Sequence, residues 1–234
     1  MNYRVLLLAA LAGAACGCDS APGRPAADSE VIAPDKVVDF AALYATNCAG
    51  CHGASGSGGP ALALADPVYL ASADDAAIRR VTADGVPGTA MPAFAQSAGG
   101  LLTDEQIDVV VKGMRARWAK PDMASDAGIQ SYGAPAPGDP ARGADVYARY
   151  CASCHGAAGR GGPHGSSIVD GAYLALVSDQ SLRTTVIVGR PDIGAPHWRG
   201  NGAGQAPSPV DVSAVVAWLA AQRPGESSME GGPR

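Results

Sequence analysis

Large side chains are what this 234-residue chain has least of: it holds two Phe and three Trp, and much of its 47% hydrophobic content is alanine. Two halves of about eighty residues would have weak cores from such material, because a small domain buries proportionally less of its surface. Something other than side chains is therefore expected at the centre. Basic charge is scarce as well. A net charge of −5 provides no basic stripe to replace counterions at phosphates, which excludes nucleic acid as a partner. No stretch is long and apolar enough for a spanning helix, which needs about 20 such residues. Strand-like alternation is absent apart from the ambiguous residues 184–188, so the fold class reads as all-α.

Residues 1–18 read as an export signal. Arg4 supplies the positive start, residues 5–15 form a short apolar run, and Ala14-Ala15-Cys16-Gly17-Cys18 closes it. Small residues leading into Cys resemble the lipobox of bacterial lipoproteins, although neither Cys has a leucine three residues before it. The resemblance implies lipidation at Cys18, with Cys16 the neighbouring choice, and an anchor made of lipid alone. Ordinary cleavage, leaving a soluble periplasmic protein, is the alternative. Residues 19–34 have no apolar period and read as a flexible tether.

The rest of the chain repeats itself. Cys48-Ala49-Gly50-Cys51-His52-Gly53 matches Cys151-Ala152-Ser153-Cys154-His155-Gly156 at an offset of 103. Gly58-Gly59-Pro60 likewise falls on Gly161-Gly162-Pro163. At an offset of 104, Tyr69, Arg79, Gly85, Pro92 and Phe94 meet Tyr173, Arg183, Gly189, Pro196 and Trp198. One further insertion aligns Ile107, Val110, Val111 and Met114 with Val212, Val215, Val216 and Leu219, one apolar helical face in each copy. Two copies of one small domain are expected, at 35–118 and 140–223. Residues 119–139 read as a Pro/Gly-rich linker and residues 224–234 as a disordered tail. Within each copy a helix leads into the Cys motif and a Gly/Pro-rich loop follows. A middle helix at 74–81 or 179–188 then precedes the terminal helix.

Four of the six cysteines form Cys48-x-x-Cys51-His52 and Cys151-x-x-Cys154-His155. Cys-x-x-Cys-His is the pattern of c-type haem attachment, in which both thiols bond the haem and the His binds its iron. A four-Cys zinc site usually spaces its pairs about 15–20 residues apart, far closer than these. A thioredoxin-like pair needs βαβ context, which is missing. Disulfides would leave His52 and His155 unexplained.

With these motifs in place, both halves resemble class I cytochromes c. The resemblance implies two tandem helical domains, each with one haem c, in which the first and last helices cross. Tyr44 and Tyr147 stand where that family packs an aromatic against the last helix. Gly88-Thr89-Ala90-Met91-Pro92 resembles the family's distal loop and implies Met91 as the second iron ligand; Met114 reads as core and Met123 as linker. The second copy departs from the pattern, with Ala195 in the place of Met. His197, two residues on, is the first replacement, and His164 and an open or water-filled position are the others. Met229 would have to fold back from the tail. Arg79 and Arg183 are open between a haem propionate and a solvated face.

The implied function is electron transfer by two haem c groups on the periplasmic side of a bacterial membrane. The chain would be a tethered carrier, or a subunit of a respiratory or other redox complex, with redox proteins as donor and acceptor. A haem-dependent oxidoreductase or small-ligand sensor, using an open site at the second haem, is the alternative. No catalytic residue is assigned.

Overall fold

Short polar side chains set the helix starts in both copies. Asp39, Asp66, Asp74 and Thr103 accept first-turn N–H groups of α1 (Phe40–Asn47), α3 (Pro67–Ser72), α4 (Asp75–Asp84) and α5 (Asp104–Trp118). Asp139, Asp170, Ser178 and Ser208 do so for α7 (Pro140–Tyr150), α9 (Gly171–Ala175), α10 (Asp179–Val188) and α11 (Pro209–Ala220). Each cap satisfies a donor that its helix leaves without an internal acceptor. The single turns α2 (Ala49–His52) and α8 (Ala152–His155) follow α1 and α7, and α6 (Pro121–Ala124) lies between the copies.

The structure, a computed structural model, describes residues 32–124, 126, 128–200 and 205–224. The expected lipidation positions Cys16 and Cys18, and Met229, lie outside them. The described residues divide between two units at Lys36 and Val37, and apart from residues 35 and 36 both copies lie in the second. In the first unit, Pro34–Lys36 makes one 3₁₀ turn. Among the described residues there are only isolated bridges, Ala95 with Leu102 and Arg190 with Ala195, and no strand.

The middle helices refine the expectation. α4 continues three residues beyond Val81 because Thr82 and Ala83 are also buried, and it ends at Gly85, whose φ of +69° suits glycine. Residues 184–188 are helical. Leu182, Ile187 and Val188 share the buried side, and the Thr184 hydroxyl donates back to Gln180 O at 2.8 Å.

First and last helices cross closely in both copies, with the bulk exchanged between them. In copy one a Cβ on Gly113 would lie 2.1 Å from the Phe40 ring. In copy two a Cβ on Gly143 would lie 2.1 Å from Ala214 O and 2.6 Å from the Trp218 side chain. The repeat register puts Phe40 on Gly143 and Gly113 on Trp218. One crossing is thus large-on-first, small-on-last, and the other is the reverse. A second replacement is made by arginine. Arg115 of α5 binds Asp75 at 2.6 Å and also donates to Leu70 O. Arg223, just past α11, binds the matching Asp179 at 2.6 Å and Leu174 O at 3.1 Å. These two arginines are not aligned in the repeat.

Residues 129–132, within the expected linker, pack as a wedge between the copies. Tyr132 donates its N–H to Ser72 O at 3.1 Å, and its own carbonyl accepts from Gln180 and Arg183. Gln130 is buried and donates to Pro207 O at 3.0 Å. One apolar cluster runs from Leu43, Ile107 and Met114 of copy one into Ile187, Val188, Trp198 and Val212 of copy two. The aligned arginines diverge here. Arg79 pairs with Asp104 and Asp108 on α5, whereas Arg183 is buried against Ser131 O and Tyr132 O.

Candidate functional site

Each Cys-x-x-Cys-His segment forms a single helical turn hung from the preceding helix, with Cys48 N–H bonded to Tyr44 O and Cys151 N–H to Tyr147 O. None of these four cysteines is in a disulfide. Cys48 and Cys151 are half-buried and Cys51 and Cys154 exposed. Burial first, then the neighbouring cysteine, pushes the Cys48 and Cys151 thiols up to about 11. Glycines let the following loop lie directly on the turn: a Cβ on Gly59 would sit 2.2 Å from Cys51 O, and one on Gly162 2.5 Å from Cys154 O.

That loop orients the imidazoles. His52 Nδ1 lies 2.7 Å from Leu62 O, and His155 Nδ1 lies 2.8 Å from Ser166 O. A carbonyl oxygen can only accept, so Nδ1 is the protonated nitrogen and Nε2 keeps its lone pair. Burial lowers the His52 pKa and so favours the neutral ring, opposed in part by the hydrogen bond to the Leu62 carbonyl. Two thiols and an imidazole lone pair on one turn fit a covalently held haem, whose iron the free Nε2 would bind. Among the described residues no three of His, Cys, Asp and Glu converge to hold a metal ion, so the two Cys pairs do not build a joint zinc site.

Tyr44 and Tyr147 are buried and hydroxyl-bonded to Gly53 O and Gly156 O. Their rings lie 5.1 Å from Trp118 and 4.4 Å from Trp218, the first-to-last-helix packing expected of them.

The distal loops follow one path. Val86 N–H donates to Met91 O at 3.0 Å, and Arg190 N–H donates to Ala195 O at 2.8 Å. Met91 is half-buried, with its N–H on the Thr89 hydroxyl at 3.2 Å. His197 is half-buried, and its Nδ1 accepts the Arg199 N–H at 3.2 Å. His164 is exposed, on the loop that also carries Ser166. Two long-range links have no local signal in sequence. Arg199 stacks on Trp198 at 4.6 Å and pairs with Asp126, and Arg190 reaches Pro60 O and Gly59 O at 3.3 and 3.4 Å. Arg190 thus joins the distal loop of copy two to the Cys-motif loop of copy one.

The family model described as cytochrome c oxidase, cbb3-type, subunit III matches this chain twice, over residues 35–112 and 138–219. With two such domains, the chain is a c-type cytochrome with two haem c groups. It belongs to that family. The cbb3-type cytochrome c oxidase subunit CcoP of Azospirillum sp. (strain B510) is 33% identical over 170 residues, 65% of this chain and 52% of that protein. Subunit FixP of the corresponding oxidase from Azorhizobium caulinodans is 28% identical over 183 residues, 75% of this chain and 56% of its own length. The cytochrome bc1 complex cytochrome c subunit of Mycobacterium bovis is 27% identical over 152 residues, 63% of this chain and 51% of its own length. The chain spans about half the length of these curated relatives. No described helix is long and apolar enough to cross a membrane.

Proposed function

We propose that this chain carries electrons as a subunit of a membrane respiratory complex, or as a tethered carrier serving one, on the periplasmic side of a bacterial membrane. Its partners are a redox-protein donor and acceptor. Cys48 and Cys51 hold one haem c, and Cys151 and Cys154 the other. His52 and His155 supply the proximal nitrogens, and Met91 the distal sulfur of the first site. The observation that carries the assignment is the pair of Nδ1–carbonyl contacts, which leave the Nε2 lone pair of each proximal histidine for metal. Bound haem c supplies a one-electron couple at its iron, tuned by its ligands and burial.

The chain's own task is to hold the two sites at a constant relation. The shared core, the wedge at Tyr132 and the Arg190 contacts support that role. Lipidation at Cys18 or Cys16 would keep the chain at the membrane surface. Matured with its cofactor, the protein should contain two haem c groups per chain by pyridine haemochrome, and one after Cys151→Ser with Cys154→Ser. In respiring membranes both should be reduced by substrate and reoxidised on adding oxygen. A single haem in the parent chain, or haems that stay redox-silent in membranes, would overturn the proposal.

A further inference from the structure

The two distal loops share a backbone path and differ in what they place on it. Gly85 and Gly189 both have positive φ, +69° and +71°, and a Cβ on either would lie 2.7 Å from the oxygen of Met91 or Ala195 respectively. The shared path ends just beyond: Phe94 N–H bonds Thr82 O at 3.1 Å, whereas Trp198 N–H bonds Ile187 O at 3.2 Å, one residue past the counterpart of Thr82. Ala195 therefore occupies the position of Met91, and a methyl group has no donor atom for a metal.

His197 does not stand in for it. Its Nδ1 accepts a hydrogen bond from Arg199 N–H at 3.2 Å, so the lone pair is at Nδ1 and the ring proton is on Nε2. This is the opposite tautomer from His52 and His155, whose Nδ1 atoms donate. The donor residue is itself anchored. Arg199 Nη2 binds Asp126 at 2.9 Å with a second contact from Nη1, and its guanidinium stacks on Trp198, which is buried in the core shared by the two copies. Freeing His197 for iron would require breaking its bond to this clamped segment.

His164 is on the wrong side. A Cβ on the adjacent Gly165 would lie 2.8 Å from His155 Nδ1, and Ser166 O accepts from that nitrogen, so this loop lies against the proximal imidazole. Residues 140–223 contain no Met and no Lys, and their only other His is the proximal one.

Building on the haem assignment at Cys151, Cys154 and His155, we propose that the second haem has no protein ligand on its distal side and there binds a small exogenous ligand. Beside Ala195 this would be a neutral diatomic on reduced iron or a compact nitrogen donor on oxidised iron. The probes are carbon monoxide and imidazole, used on the full haem-loaded chain. Electron paramagnetic resonance of the oxidised protein should show one high-spin and one low-spin haem, and added imidazole should convert the former. The reduced protein should bind one carbon monoxide per chain. His197→Ala should leave the spin count and this stoichiometry unchanged, whereas Ala195→Met should abolish carbon monoxide binding and make both haems low-spin.

A wild-type protein with two low-spin haems and no carbon monoxide uptake would overturn the proposal, whether or not His197→Ala then opened a site. The wild-type spectra decide this even where a variant fails to fold. The haemochrome count separates the two readings. Two haems without an open site sinks only this proposal, and fewer than two sinks the attachment assignment.

Discussion

Replacing Gly143 by Ala is the sharpest probe of how the second copy is closed. A new Cβ would sit 2.1 Å from the Ala214 carbonyl oxygen, a backbone atom in the middle of α11, and 2.6 Å from Trp218. The helices would have to part by about 1.4 Å, since ordinary contacts begin near 3.5 Å. Alanine gains about 1 kcal/mol over glycine in a helix interior. Overpacking a tight core costs about 1–3 kcal/mol, occasionally more, and contact with backbone puts this case at the upper end. The net expectation is a loss of about 2 kcal/mol, which for a unit of this size lowers Tm by about 4–8 °C. Thermal melts of the oxidised, haem-loaded protein followed by far-ultraviolet circular dichroism would measure it. The matching change in the first copy differs in kind. Gly113→Ala meets the Phe40 ring, so adding Phe40→Ala should relieve the clash, and the double variant should lose less than the two singles summed. Adding Trp218→Ala to Gly143→Ala should give no such relief, because the carbonyl remains. A Gly143→Ala protein that melts at or above the parent temperature would refute the close crossing, leaving helix propensity as the only effect.

Met91→Ala should lower the midpoint potential of one haem and leave both covalently attached, because a thioether ligand favours reduced iron and raises the potential. An optical redox titration with unchanged midpoints would remove Met91 from the ligand set. Cys16→Ser with Cys18→Ser should release the protein from membranes; retention after washing would assign anchoring to a protein partner instead. The Arg199 side chain, aided by the Gly128 N–H, holds the Asp126 carboxyl at about 2. Since that carboxyl is depressed in the folded state, its stabilisation is present above the ordinary carboxylate range and is lost as pH falls through about 2. Carboxyl-carbon nuclear magnetic resonance should find the Asp126 midpoint well below an ordinary aspartate, and Arg199→Gln should return it towards the usual value.

Features written in contiguous residues were legible before any fold was known. The Cys-x-x-Cys-His turns and the Met-Pro segment with its loss at Ala195 are all local. Within the described helices the 3.6-residue pattern placed Ile107, Val110, Val111 and Met114, and their counterparts in copy two, on buried faces. Where packing outweighed local pattern, the sequence was ambiguous or short: 184–188 is helical, and α4 runs on to Asp84.

Other properties depend on residues brought together from distant positions, and only the tertiary structure decided them. The repeat register sets Phe40 on Gly143 and Gly113 on Trp218, which reads as loss of pattern until the two helices are seen to cross with bulk traded between them. Arg115 and Arg223 bind equivalent partners from unaligned positions, while the aligned Arg79 and Arg183 have unrelated ones. Residues 119–139 have the composition of a linker, yet Gln130 is tied to copy two and Tyr132 to both copies. The tautomer of His197 follows from one backbone N–H whose residue is clamped by an aspartate 73 positions earlier in the chain. A side chain's chemical type is carried by the sequence, but its free lone pair depends on which neighbour has already taken the other one.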